Sequence, residues 1–169
     1  MLGRILGFTS KVINPERLYE TLTGKDNLFA MGYFDERTKN IIKSVDIPVG
    51  ILIDKGLPEQ CHRVLVPVYS VSDSSLLVYI QKFIHNSGLH VTLLDANDTI
   101  KATLEFKEAI RAIDYAAPNH VTVVPSLEVD NIDFAAFDLM LVSLSAWKQL
   151  VQEKQSWLGE APSTLVLKP

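Results

Sequence analysis

A chain of 169 residues, 47% hydrophobic and 21% charged, has room for one well-buried core, or for one domain and a piece of another, and its composition is that of an ordinary folded protein. Its net charge of -4 and pI near 5.5 lack the basic face that nucleic-acid binding wants, and its single cysteine, Cys61, excludes an intramolecular disulfide and a cysteine-based metal cluster. No apolar run approaches the roughly 18 residues of a membrane span and the first residues are not a signal peptide, so a soluble protein facing the cytoplasm is expected.

Leu2 to Phe8 reads as a strand, weakened by Gly3 and Gly7. Asn14-Pro15 can open a helix over Glu16 to Leu22, and Gly24, Asn27 and Gly32 mark turns. Leu28, Phe29, Met31, Tyr33 and Phe34 form a dense apolar group that something must cover. Asp35 can cap a helix running to about Val45, with Ile41, Ile42 and Val45 on its buried side. Pro48 ends it. Val49 to Asp54, VGILID, is a strand closed by Lys55-Gly56-Leu57-Pro58, and residues 57–62 read as a linker.

The organising stretch follows, Arg63 to Ala96. Val64 to Val68 is a valine-rich run suited to a strand buried on both faces of a parallel sheet. A polar turn, Ser70 to Ser74, lets Ser72 or Asp73 cap the next helix. Leu76, Leu77, Ile80, Phe83 and Ile84 recur at helical spacing as one apolar stripe, and Gly88 ends it. Leu89 to Leu94 is a second strand. Together they make a βαβ unit whose crossover should be right-handed.

Asn97, Asp98 or Thr99 caps the following helix, whose stripe is Ile100, Leu104, Phe106, Ala109, Ile110 and Ile113. Pro118 closes it. Val121 to Val124 is a third short strand, Ile132 to Phe137 forms one or two helical turns, and Leu139 to Val142 is a fourth strand. Trp147, Leu150, Val151, Lys154, Trp157 and Leu158 share one face of a helix that Gly159 terminates, and Thr164 to Leu167 is the last strand. From Arg63 onward the order β-α-β-α-β-(α)-β-α-β is that of an α/β, doubly wound parallel sheet. The N-terminal piece matches the closing part of the same pattern: ILGF…KNIIKSVDIPVGILIDKG lines up loosely with LMLVS…QSWLGEAPSTLVLKP, a partial internal repeat.

The pattern from Arg63 to Pro169 resembles the Rossmann-like universal stress protein fold. IPVGILIDKGLPEQCHRVLVPVYSVSD, the DLMLVS strand and the ending W-x-G-E-x-P-S-T-L-V-L-K, Trp157 to Lys168, resemble the cytosolic C-terminal region of the monovalent cation:proton antiporter-2 family. The likeness covers roughly 120 residues, from Val49 to Pro169. It implies a division into a partial stress-protein-like repeat, 1–56, a linker, 57–62, and a complete repeat, 63–169. It further implies a place on the cytoplasmic side of the inner membrane, with the membrane domain of the same antiporter polypeptide as partner and a homodimer as the assembly. Nucleic acid is not expected as a partner.

ATP-binding stress proteins carry G-x-x-G-x9-G-[ST] after the fourth strand, where backbone N–H groups cradle phosphates. That spacing is absent here: Gly159 is the only glycine after Leu139, and Trp147 and Lys148 stand near the expected phosphate loop. Asp73 lies near the position where the resemblance implies an adenine-contacting aspartate, and it also suits a helix cap. Ser70, Ser72, Ser143 and Ser145 fall at the C-terminal ends of the first and fourth strands of the repeat, where open α/β sheets bind ligands and where serines also close turns. These five residues are the candidate ligand site.

No catalytic constellation appears. His62, His85, His90 and His120 are scattered without H-x-x-x-H spacing, and there is no G-x-S-x-G elbow, P-loop or G-x-G-x-x-G. Glu105 and Glu108 read as solvated charges on a helix. No cofactor, no metal and no enzymatic activity are expected. The leading expectation is a regulatory or assembly domain of a Na⁺/H⁺ antiporter, and the alternative is a module binding a nucleotide or signalling effector. In stress-protein-like pairs the final strands of two repeats can meet antiparallel, so Val49–Asp54 should pair with Thr164–Lys168. Leu2–Phe8 should then lie on the other side of Val49–Asp54, an open edge for a second copy of the chain.

Overall fold

The computed structural model describes residues 9–13, 34, 36–125, 132–152 and 160–169. Its centre is a seven-stranded sheet in the order β1-β2-β7-β6-β3-β4-β5. The strands are β1 (Thr9–Ile13), β2 (Val49–Ile53), β3 (Arg63–Val68), β4 (His90–Asp95), β5 (Val121–Pro125), β6 (Leu139–Ser143) and β7 (Ser163–Lys168). Every neighbouring pair is parallel except β2 with β7. The helices are α1 (Glu36–Ser44), α2 (Leu77–Ser87), the single turn α3 (Thr99–Ala102), α4 (Leu104–Ala116) and α5 (Leu144–Gln152). Among the described residues no helix is long and apolar enough to cross a membrane.

Apolar side chains cover both faces of the sheet, which is why β2, β3, β6 and β7 read as nearly continuous hydrophobic runs. On one face Leu77, Ile80, Phe83 and Ile84 of α2 and Phe106 and Ile113 of α4 pack on Val64, Val66, Val91, Leu93, Leu139 and Leu165. On the other, Ile42 of α1 and Trp147, Leu150 and Val151 of α5 pack on Ile51, Ile53, Met140, Val142 and Val166. Phe134 and Phe137 form a smaller cluster with Leu65 and Leu94. The 3₁₀ turn at Phe134–Ala136 is the expected short helical stretch.

The expected pairing of Val49–Asp54 with Thr164–Lys168 is present, in antiparallel register with Ile51 opposite Val166. The strand on the far side of β2 differs from the expectation. It is Thr9–Ile13, parallel to β2 with Lys11 opposite Ile51, whereas Leu2–Phe8 lies outside the described residues. TSKVI contains no glycine and ends on two β-branched residues, so it suits a strand better than a stretch weakened by Gly3 and Gly7. The helix expected over Glu16–Leu22 also lies outside the described residues, as do Lys154, Trp157, Leu158 and Gly159.

Two local readings are corrected and a third is refined. The helix expected from Thr99 through Ile113 is broken at Thr103, which is extended (φ -107°, ψ 119°). The break resets the helical phase, so Leu104 leaves the buried stripe and is 65% exposed. Asp98, one of the three residues expected to cap it, holds the N-cap position, but its side chain makes no capping bond. Asp95, at the end of β4, accepts from the N–H groups of Ile100 (2.9 Å) and Lys101 (3.0 Å). The residue capping the turn before α2 is Ser70 rather than Ser72 or Asp73. Asp73 sits three residues in and reaches back to the Ser70 N–H at 2.9 Å, the return half of a capping box. At the other end of α2, Gly88 adopts φ +64° and donates to the Ile84 carbonyl at 2.8 Å, the left-handed stop read from the sequence.

The N-terminal elements are tied to β7 by side chains as well as by the ladder. Lys168 Nζ donates to the carbonyls of Ile42 and Val45, each at 2.7 Å, and so satisfies the C-terminal end of α1. Past the end of β2, Asp54 Oδ1 accepts from the N–H groups of Leu57 (2.8 Å) and Gly56 (2.9 Å) and from Ser163 Oγ (3.3 Å). The Leu57 N–H is the largest influence holding its carboxyl below the usual value, against a smaller opposing effect of burial.

Candidate functional site

In an open α/β sheet, ligands collect where adjacent strands send their crossovers to opposite faces. Here that point is the crevice between β3 and β6. The crossover leaving β3 runs through α2 on one face, and the one leaving β6 runs through α5 on the other. The candidate residues Ser70, Ser72, Asp73, Ser143 and Ser145 all come together there. They form one hydrogen-bonded chain across the crevice. Ser72 Oγ meets Ser70 Oγ at 2.8 Å, and Asp73 Oδ2 accepts from Tyr69 N and Ser70 N, both at 2.9 Å. Asp73 Oδ1 accepts from Ser143 Oγ, which meets Ser145 Oγ at 2.9 Å and takes the Ala146 N–H at 3.0 Å as the cap of α5.

Burial divides four of these residues into two roles, with Ser70 between them. Asp73 is 1% and Ser143 3% exposed, and their hydrogen bonds are spent on each other and on the backbone. They latch the turn after β3 to the end of β6, and the carboxylate does not face solvent. Ser72 and Ser145 are exposed and line an open cleft of about 830 Å³. Its remaining polar lining comes from Ser75, Lys148, Gln149 and Lys168, with the buried Ser143 at its floor. Of these, only Lys148 was legible as a neighbour of the site.

Lys168 could have been found from strand pairing alone. Because β6 and β7 run parallel with Ser143 opposite Leu167, the next residue must emerge at the same sheet edge as Ser143. Trp147 is not an obstacle to the cleft, as its position after the fourth strand suggests. Its side chain is buried with Ile51 and Val166 on the α1–α5 face, and Lys148 is the residue that borders the opening. What the cleft lacks is a loop. Leu144 begins α5 immediately after Ser143 ends β6, so there is no glycine-bearing loop to wrap a phosphate chain, and of the first N–H groups of α5 that of Ala146 is taken by Ser143 Oγ.

Among the described residues, several other chemistry-bearing side chains serve the fold. Cys61 is half-buried, and burial, followed by the Asp138 charge, pushes its thiol up to about 11, far from a nucleophile at neutral pH. His90 and His120 stack with ring centroids 4.9 Å apart, and His120 Nδ1 lies 3.0 Å from the Leu89 carbonyl. Asp138 Oδ2 accepts from the N–H groups of His62 and Arg63 at 2.7 and 3.0 Å, fixing the entry to β3. Among the described residues no group of three or more His, Cys, Asp or Glu side chains could hold a metal ion.

Compared with known proteins, the sequence matches no family model and no curated protein.

Proposed function

We propose that this chain is a non-catalytic regulatory or assembly domain of a cation:proton (Na⁺/H⁺) antiporter. On this reading Arg63 onward is a universal stress protein-like unit, and residues 1–56 are the closing part of another. The observation that carries the proposal is the antiparallel contact of β2 with β7. Each of these strands has a parallel neighbour on its other side, β1 beside β2 and β6 beside β7. Each parallel pair is linked in sequence through a helix, α1 in one case and α5 in the other. Two strand–helix–strand closures thus meet about an approximate two-fold axis. Tandem stress-protein-like repeats would meet in this way, and the VGILIDKG and W-x-G-E-x-P-S-T-L-V-L-K stretches resemble those of antiporter C-terminal regions. The domain would lie on the cytoplasmic side of the inner membrane, and ion-carrying carboxylates would belong to the membrane domain. The deciding experiment is to read the gene upstream of Met1. About ten or more apolar spans in the same frame support the proposal, and a stop codon with no such span overturns it.

The cleft favours a second reading, a module that binds a small anionic effector through Ser72, Ser145, Lys148 and Lys168. The two readings part on titration. Without a loop between β6 and α5, ATP with Mg²⁺ should give no saturable heat in calorimetry at low micromolar concentration. Saturable one-to-one binding that Lys148→Ala abolishes would favour the effector reading over a purely structural one.

A further inference from the structure

α2 and α4 run side by side on one face of the sheet, and their outer surfaces enclose a groove. It consists of two adjoining depressions of about 390 and 370 Å³ that share Val78, Gln81 and Ile113. Its walls are apolar where water should be met: Val78, which lines both depressions, is 56% exposed and Val71, which lines one, is 52% exposed. Along α4 it is floored by Ala109, Ala112 and Ala116, small side chains that let another helix approach closely. Solvated helices carry single exposed apolar residues without consequence, but a contiguous row beside a groove is the mark of a contact surface.

The charges at the groove say what fits it. Among the described residues and His85 aside, Lys82 and Glu105 are its only ionisable lining side chains. Lys82 borders one depression and Glu105 the other. The groove is therefore basic in one half, acidic in the other and apolar at Val78 between them. Rotating such a surface by 180° about an axis through its middle lays its basic half on its own acidic half. We propose that the α2–α4 groove is a homodimer interface, an isologous contact in which Lys82 of each copy faces Glu105 of the other and the two Val78 side chains meet near the axis. A face on a helix of 11 residues, about 17 Å long, offers less contact than the roughly 800 Å² per partner of a stable complex, so the dimer is a weak one that forms only at high protein concentration. The inference does not depend on the antiporter reading, and it places the second copy away from the sheet edge expected from the sequence.

Sedimentation velocity on the whole chain from about 1 to 500 μM tests it. The wild type should shift from monomer to dimer. Val78→Glu should remain monomeric throughout, and because Val78 is exposed its melting temperature should match the wild type. Lys82→Glu and Glu105→Lys set like charges against each other twice per dimer, so each alone should weaken association about tenfold or more. A one-to-one mixture of these two variants places every reversed charge opposite its complement and should recover association. A wild type monomeric at the highest concentration, a Val78→Glu protein that still dimerises, or a mixture no better than either variant alone would overturn the proposal.

Discussion

Asp73 shows how little a polar residue at a ligand-prone position says about its task. Its carboxylate is almost wholly buried and takes hydrogen bonds from Tyr69 N, Ser70 N and Ser143 Oγ. Buried carboxylates survive only when donors replace their water, and here the donors come from the turn after β3 and the end of β6. Removing the acceptor strands those donors in the interior, at about 1–3 kcal/mol for each group left unsatisfied. Asp73→Ala should therefore lower stability by about 2–4 kcal/mol in urea unfolding, whereas Ser145→Ala, whose hydroxyl is exposed, should stay within about 0.5 kcal/mol. Equal small losses would mean that the crevice is held shut without the carboxylate. The candidate residues could be read from the sequence because strand ends in a doubly wound sheet converge by topology. Which of them face solvent could not. That depended on Ser143 capping α5 while donating to Asp73, an arrangement set by packing between segments 70 residues apart.

At the scale of elements, strands were more legible than helix ends. Valine- and leucine-rich runs buried on both faces announce themselves by composition, and β2, β3, β6 and β7 all fall where such runs lie. The single apolar stripe from Ile100 to Ile113 hid a break, because spacing along the sequence does not reveal the phase reset that one extended residue introduces. Thr103 takes that extended conformation while Asp95 gathers the first donors of α3 from five and six residues back, outside the spacing of an ordinary N-cap. α5 is the clearer case. Leu150 is fully buried among Met140, Val142 and Val166, so Leu150→Ala leaves a cavity against the sheet and should cost about 2–5 kcal/mol. A clear fall in melting temperature checks this. No change would mean that the α1–α5 face contributes little to the cohesion of the sheet.

At the scale of the whole molecule, one sheet continues through residues on both sides of the 57–62 stretch, and the contact that joins them is the only antiparallel one among the described strands. The antiparallel β2–β7 contact was legible because VGILID is too apolar to be left at an edge, and one other closing strand was available to cover it. The identity of the strand beyond β2 was not legible, since TSKVI carries three polar residues to two apolar ones and stands out only once β2 is in place. Removing residues 1–56 would take away β1, α1 and β2 together. It would strip the ladder partner from β7, five of whose six residues are buried, and uncover part of the apolar face formed by Met140, Trp147, Leu150 and Val166. The cation on Lys168 would also lose the two carbonyls of α1 that it now binds. A long apolar edge with free N–H and C=O groups recruits another strand, so the shortened chain should self-associate through β7. Light scattering after size exclusion measures this, in a Val78→Glu background so that association through the α2–α4 groove does not contribute. The full-length Val78→Glu protein should elute as a monomer and the shortened one as dimers or larger species. A shortened chain that keeps its circular dichroism and stays strictly monomeric at several hundred micromolar would show that β7 is protected by something other than β2.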